Sequence, residues 1–217
     1  MLSILHDYYP HSVPDWLETA PGLAAKANRF GILLPFPGNT VVFLLKEETK
    51  QQLQDLQSRL HQLCGDMLAQ PLVPDTFHMT LHDLVNGDLL PRQEEMAAGA
   101  RTILAQIREE QHPDIPMKAT WMFNMVNTSI VLGLEPANAD AWHQLSSLYQ
   151  RFQQIRPLPY ALTPHITLAY FRPGCYGPEQ TAQLRAALGP VELTTELLIQ
   201  NLVLQDFADM NHYTTIF

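Results

Sequence analysis

Slid along itself by 87 positions, this chain lays one histidine–threonine pair on another: His78 and Thr80 fall on His165 and Thr167. The same shift carries the apolar segment at 41–46 onto 128–133, and Glu94 onto Thr181 inside a matching helical segment. A repeated supersecondary unit constrains a fold more than any isolated segment, because each copy leaves a face that its twin must help to cover. The periodicities within each copy agree. Segments 40–46, 76–84, 117–126, 128–135, 165–171, 196–207 and 212–217 are β-branched or alternate apolar with polar residues, which predicts strands. Segments 47–68, 91–111, 139–155 and 178–189 predict helices. In the first of these, Leu53, Leu56, Leu60, Leu63 and Met67 recur at three- and four-residue steps. Pro91 stands near the start of the second, and Gly189 ends the fourth. Each copy reads strand–helix–HxT strand–helix–strand. The expectation is an α+β fold, bilobal, with duplicated modules (about 40–126 and 127–217) related by a pseudo-two-fold axis. Antiparallel-rich sheets would surround a central cleft. Residues 1–38, with Tyr8, Tyr9 and Trp16 among prolines and glycines, read as an irregular leader that packs on the body or covers it.

Composition narrows the partners. With 46% hydrophobic and 16% charged residues, the chain can bury a sizeable core. Its net charge of −9 comes without any basic stripe, which argues against tracking a long nucleic acid. A small phosphorylated ligand in a locally positive pocket remains compatible with it. Cys64 and Cys175 are far apart and form no CxxC, so they read as reduced thiols. The N-terminus lacks a basic n-region and no apolar run approaches ~20 residues, so the reading is a cytoplasmic protein with no membrane span.

Strand alternation decides which side chains keep company. It sets His78, Thr80 and His82 on one face, with Met79 and Leu81 on the other. In the second copy His165, Thr167 and Ala169 share a face, while Ile166, Leu168 and Tyr170 point into the core. A single HxT says little. Two copies, each with an apolar middle residue, a leucine after the threonine and an equivalent place in a repeat, point to one shared site. Histidine suits proton transfer at neutral pH because its ordinary pKa of ~6.5 allows one copy to be neutral and the other charged. Cleaving a phosphodiester in line needs a base on the attacking oxygen and an acid on the departing one. Two histidines flanking one phosphorus supply both, and threonine hydroxyls can donate to the non-bridging oxygens. This scheme requires no cofactor and no metal. The His78–His82 spacing would suit zinc only on a helix, and Met79 stands where the zincin glutamate would.

"HMTL" and "HITL" in a duplicated α/β chain resemble the 2H phosphoesterase superfamily, which includes cyclic phosphodiesterases and enzymes once called RNA 2′–5′ ligases. The resemblance runs from about Thr40 to Phe217 and is densest in "TPHITLAYF"; "PFPGNTVVFLL" resembles a little-characterised bacterial branch. It implies a bilobal fold and hydrolysis of a 2′,3′-cyclic phosphate or a related cyclic or 2′–5′ nucleotide phosphodiester. His78 and His165 would be catalytic, and Thr80 and Thr167 would bind substrate. Further candidates for substrate contact are His82 on the His78 face, Asn39 and Thr40 after Gly38, and Arg172 beyond the second HxT strand. Each has a plainer reading, as a rim histidine, a turn and a solvated strand end. Trp121, Phe123 and Tyr213 read either as base-stacking groups or as core. Two other functions fit the same residues: a protein that binds a phosphorylated ligand without turning it over, and an enzyme that processes RNA ends.

Overall fold

The computed structural model describes residues 12–217. The first element is a two-residue strand, β1 (Leu17–Glu18). Next comes β2 (Gly38–Leu44), where "GNTVVF" is buried throughout, as a strand covered on both faces must be. Helix α1 (Glu47–Cys64) opens with Glu47 and Glu48 and buries Thr49, Leu53, Gln57, Leu60 and Cys64. That buried stripe lies to one side of the leucine periodicity, so Leu63 is exposed. Strand β3 (His78–Asn86) carries the first HxT, and helix α2 (Gln93–Glu109) buries Met96, Ala97, Ala100, Leu104 and Ile107. A hairpin of β4 (Ile115–Met125) and β5 (Ser129–Pro136) follows. Helix α3 (Ala139–Phe152) is capped by Asn138, whose side chain accepts from the Ala141 amide at 2.8 Å. Strand β6 (His165–Tyr170) carries the second HxT. The chain ends with β7 (Cys175–Tyr176), α4 (Pro178–Ala187), β8 (Thr194–Leu197), β9 (Leu202–Asp209) and β10 (His212–Thr215).

Eight of these strands form one antiparallel sheet in the order β10-β9-β2-β3-β6-β5-β4-β8. The HxT strands β3 and β6 are its middle pair, joined where Met79 faces Ile166. The predicted strand at 196–207 is in fact two, broken by a 3-10 turn at Ile199–Asn201. Its first part ends the sheet beside β4, whereas its second part lies between β10 and β2. Since residues 198–201 span that passage, the sheet must curl until its ends approach. A Lys46–Glu196 ion pair at 2.8 Å and a Thr49–Thr195 hydrogen bond at 2.9 Å tie the end strand β8 to the β2–α1 junction on the other half of the sheet. The repeats also exchange strands. The last strand of the first copy, β4, pairs with β5 of the second, and β9 pairs with β2 of the first.

The helices cover one face of the curl. Helix α2 packs on β2, β3 and β9, α3 on β3, β4 and β5, and α1 on β6. Between helices and sheet lies the main core, which includes Val41, Phe43, Met79, Leu81, Phe152, Ile166, Leu168 and Phe171. Fully burying each such side chain contributes about 1.5–3 kcal/mol. The opposite, concave face is left to form a cleft. The segment ahead of β2 is more ordered than an irregular leader: β1 pairs with β7, a 3-10 turn spans Pro21–Ala25, and Ala27 bridges Leu33. Tyr8 and Tyr9 lie outside the described residues. Cys64 and Cys175 are both free thiols. Among the described residues no helix is long and apolar enough to cross a membrane.

Two register shifts matter for everything downstream. Val41 faces His82 and Val42 faces Thr80, so Leu81 has no partner. Ile130 faces Ala169 and Val131 faces Thr167, so Leu168 has none. Each is a β-bulge on the leucine that follows the HxT threonine, and a bulge reverses the in–out alternation beyond it. The unpaired Leu168 carbonyl is satisfied from the core, where Gln57 Nε2 donates to it at 2.9 Å.

Candidate active site

A cavity of about 300 Å³ opens on the concave face, and His78, Thr80, His165 and Thr167 all line it. Alternation puts each pair on the side away from the core. The Met79–Ile166 register then fixes how the pairs meet. In antiparallel strands centred there, His78 stands across from Thr167 and Thr80 across from His165. The pseudo-two-fold axis passes through that central pair.

Each imidazole is also oriented. His165 Nδ1 lies 2.6 Å from the Thr163 carbonyl oxygen. A carbonyl can only accept, so the hydrogen sits on Nδ1 and Nε2 is left with its lone pair free. His78 makes the matching backbone hydrogen bond with Thr76. Thr76 and Thr163 are themselves related by the 87-residue shift, so the repeated unit is T-x-H-x-T-L rather than HxT alone. Burial holds the His78 imidazole down to about 4, helped by the charge of His165 and opposed by the Thr76 hydrogen bond. Burial, together with the charge of Lys26, likewise depresses His165. Both shifts favour the neutral imidazole at neutral pH. An arriving anion would raise both, because it favours the imidazolium form.

The bulges redistribute the other candidates. His82 does not share the His78 face. Beyond Leu81 it turns to the helix side, is 1% exposed, and packs against the rings of Tyr149 (5.4 Å) and Phe152 (6.1 Å). His78 and His82 thus cannot meet on one ion. Asp83 takes the cavity position instead, and in the second copy Tyr170, expected in the core, takes the same position beyond Leu168. Asp83 and Tyr170 are also 87 residues apart, so both bulges deliver a new polar side chain to equivalent places. Asp83 pairs with Arg156 at 3.1 Å and accepts from Asn86 at 2.9 Å; burial nevertheless raises its carboxyl.

Asn39 and Arg172 also lie away from the cavity. Asn39 is fully buried and donates from its amide to the Gln93 carbonyl at 3.3 Å, drawn toward α2 by the register shift between Asn39 and Thr40. Arg172 donates from Nε to the Leu68 carbonyl at 2.6 Å and clamps the turn at Gly31. Gly31 has φ +82, and a Cβ there would meet that Nε at 2.9 Å. Thr40 does line the cavity, but its hydroxyl hydrogen is committed to the His82 carbonyl at 3.1 Å. Tyr213 lines it too, edge-on to His78 with ring centres 5.1 Å apart. Trp121 and Phe123 form a small separate cluster with Met125 and Val131.

The sequence reading missed Asp83, Tyr170 and Lys26 as lining residues. The first two were legible only through the bulges, and the third lies outside the repeat. At the rim, the β4–β5 hairpin turns through Val126 (φ 44) and Asn127 (φ 57), both left-handed. Asn127 is held by Asn124, and its side chain donates to the Glu18 carbonyl at 2.9 Å. Val126, a β-branched residue in a conformation it resists, is 66% exposed and lines the cavity mouth.

No family model and no curated protein matches the sequence. Solved structures do. The chain is similar to ATU0111 of Agrobacterium tumefaciens str. C58, described as a conserved protein of unknown function, at 20% identity over 92% of each chain with a TM-score of 0.66. It is similar to TT0787 of Thermus thermophilus at 17% identity over 82% of this chain and 94% of that one, TM-score 0.54. Escherichia coli LigT in complex with 3′-AMP matches at 14% identity over 84% of this chain and 96% of that one, TM-score 0.54. The chain has the 2H phosphoesterase fold. At these identities the likeness is one of architecture. In this 2H fold the two histidine strands are the central pair of the curled sheet, and the cleft lies on its helix-free face.

Proposed function

We propose that the chain is a phosphoric diester hydrolase that opens a 2′,3′-cyclic nucleotide phosphate, or cleaves a related cyclic or 2′–5′ nucleotide phosphodiester, by two-histidine acid–base catalysis. The observation that carries this reading is the convergence of both T-x-H-x-T units on one cavity, with each imidazole hydrogen-bonded to the backbone of the unit's first threonine and His165 Nδ1 so engaged that its Nε2 is the working atom.

One neutral histidine takes a proton from water as the water oxygen bonds to phosphorus. The bond from phosphorus to the ribose oxygen breaks, and the other histidine, protonated, gives that oxygen its proton. Thr80 and Thr167 donate to the non-bridging oxygens, where charge is concentrated in the transition state. After product leaves, proton exchange with water resets the pair. The downward shifts keep the base unprotonated and ready to accept a proton. A bound phosphodiester anion raises its neighbour and so suits it to be the acid. The near-symmetry of the two units leaves either histidine fit for either role. Support for a small phosphorylated substrate comes from the E. coli LigT structures with 3′-AMP and with phosphate, and from the net charge of −9, which disfavours a long nucleic acid.

The test is a product-resolved screen of 2′,3′-cyclic nucleotides, ADP-ribose cyclic phosphate and 2′–5′ oligoadenylates, run with and without EDTA. Turnover of at least one substrate, unaffected by the chelator, is expected. Binding without product in single-turnover assays would replace the enzyme with a ligand-binding protein, and loss of turnover in EDTA would remove the metal-independent mechanism.

A further inference from the structure

Lys26 belongs to the segment ahead of the duplicated core, and among the described residues it is the one lysine or arginine that lines the cavity. Its seat is built. The Lys26 amide donates to the Leu23 carbonyl at 2.8 Å, and its own carbonyl accepts from the Leu34 amide at 2.9 Å. Its ammonium lies 5.0 Å from the centre of the Phe36 ring and 5.3 Å from that of Tyr170. Tyr170 reaches this place only because of the bulge at Leu168.

Among the described residues no carboxylate comes within ion-pair distance of Lys26. The one acid lining the cavity, Asp83, is taken by Arg156 and Asn86. A partly buried ammonium without a counter-ion is costly. Two ring faces offset part of that cost and leave its N–H donors free for an acceptor. The rest of the catalytic surface is neutral: two uncharged imidazoles and two hydroxyls. A phosphodiester would bring a negative charge into this enclosure, in a chain already at −9. Charge balance calls for a cation at the cavity wall, and Lys26 is the one present. Its charge is felt by both His165 and Asp83, on the two HxT strands.

We propose that Lys26 is the anion-binding cation of this site, donating to a non-bridging phosphate oxygen, so that the segment preceding the repeats supplies a working part of the active site. The inference rests on the cleft being a phosphodiester site and adds the group that neutralises the substrate. Isothermal titration with inorganic phosphate, alongside steady-state kinetics on a 2′,3′-cyclic nucleotide, tests it in the full chain as wild type, Lys26→Met and Lys26→Arg. Methionine keeps an apolar stem between the rings and removes only the charge. In Lys26→Met the phosphate Kd and the substrate KM rise about 10- to 100-fold, the scale of one charge-assisted hydrogen bond, while Lys26→Arg stays within a few-fold of wild type. A Lys26→Met protein that is folded and binds phosphate as tightly as wild type overturns the proposal. Lys26→Gln reads the same way if the methionine variant does not fold. Phosphate binding that depends on Lys26, with no cyclic phosphate turned over by the wild type, would sink the proposed reaction and leave the anion site standing. Turnover with Kd and KM indifferent to residue 26 would do the reverse.

Discussion

Replacing His82 by leucine separates the two places open to this residue. Strand alternation puts it beside His78 in the cleft; the bulge at Leu81 puts it against Tyr149 and Phe152 under α3. In the second position it is 1% exposed, and burial pushes its imidazole from 6.5 down to about 4. The folded state then refuses a proton that the unfolded chain accepts. The stability that neutral His82 allows is fully present above pH 6.5 and is lost as pH falls toward 4. At pH 4.5 the loss works out at about 2.5 kcal/mol, taking about 1.36 kcal/mol per pH unit. A leucine of similar bulk cannot bind that proton. His82→Leu should therefore gain about 2.5 kcal/mol on wild type between about pH 8 and about pH 4.5, measured by urea unfolding at both values. Because the side chain faces away from the cavity, kcat on the substrate found by screening should change less than about threefold. A kcat loss of a hundredfold with a parallel pH–stability curve would refute the bulge and return His82 to the cleft.

Val126→Asn should stabilise the protein by about 1 kcal/mol, since asparagine accepts the left-handed conformation that a β-branched residue resists. Thermal unfolding would show a rise of about 2–4 °C, and an unchanged or lower Tm would argue against strain in that turn. Gln57→Leu should cost about 1–3 kcal/mol by leaving the bulged Leu168 carbonyl without its donor. The loss should be visible by denaturant unfolding, and a neutral result would mean that the bulge does not depend on that bond.

The duplicated histidine strands were legible because their signal is local: the same residue types recur at one offset, each beside an aliphatic that buries. The buried β2 and helix α3 were legible for the same reason. What alternation could not convey is what the partner strand decides. The bulges at Leu81 and Leu168 are written in pairing registers, so alternation alone sends His82, Asp83 and Tyr170 to the wrong faces. The apolar run 196–207 gives no hint of the 3-10 turn that sends its two parts to opposite ends of the sheet. Arg172 and Asn39 carry side chains that suit a phosphate, but their partners are carbonyls distant in sequence, Leu68 and Gln93. Lys26 carries no periodic or motif signal; only the folded segment brings it to the cleft.

The central claim is that two imidazoles act on one phosphorus. Single-turnover rates for wild type, His78→Ala and His165→Ala on one cyclic phosphodiester measure it most directly, with phosphate titration confirming that each variant still has its cleft. Each substitution is predicted to slow cleavage by about 10²–10⁴-fold, the usual reach of one general acid or base. Cleavage at the wild-type rate by either variant would contradict the account.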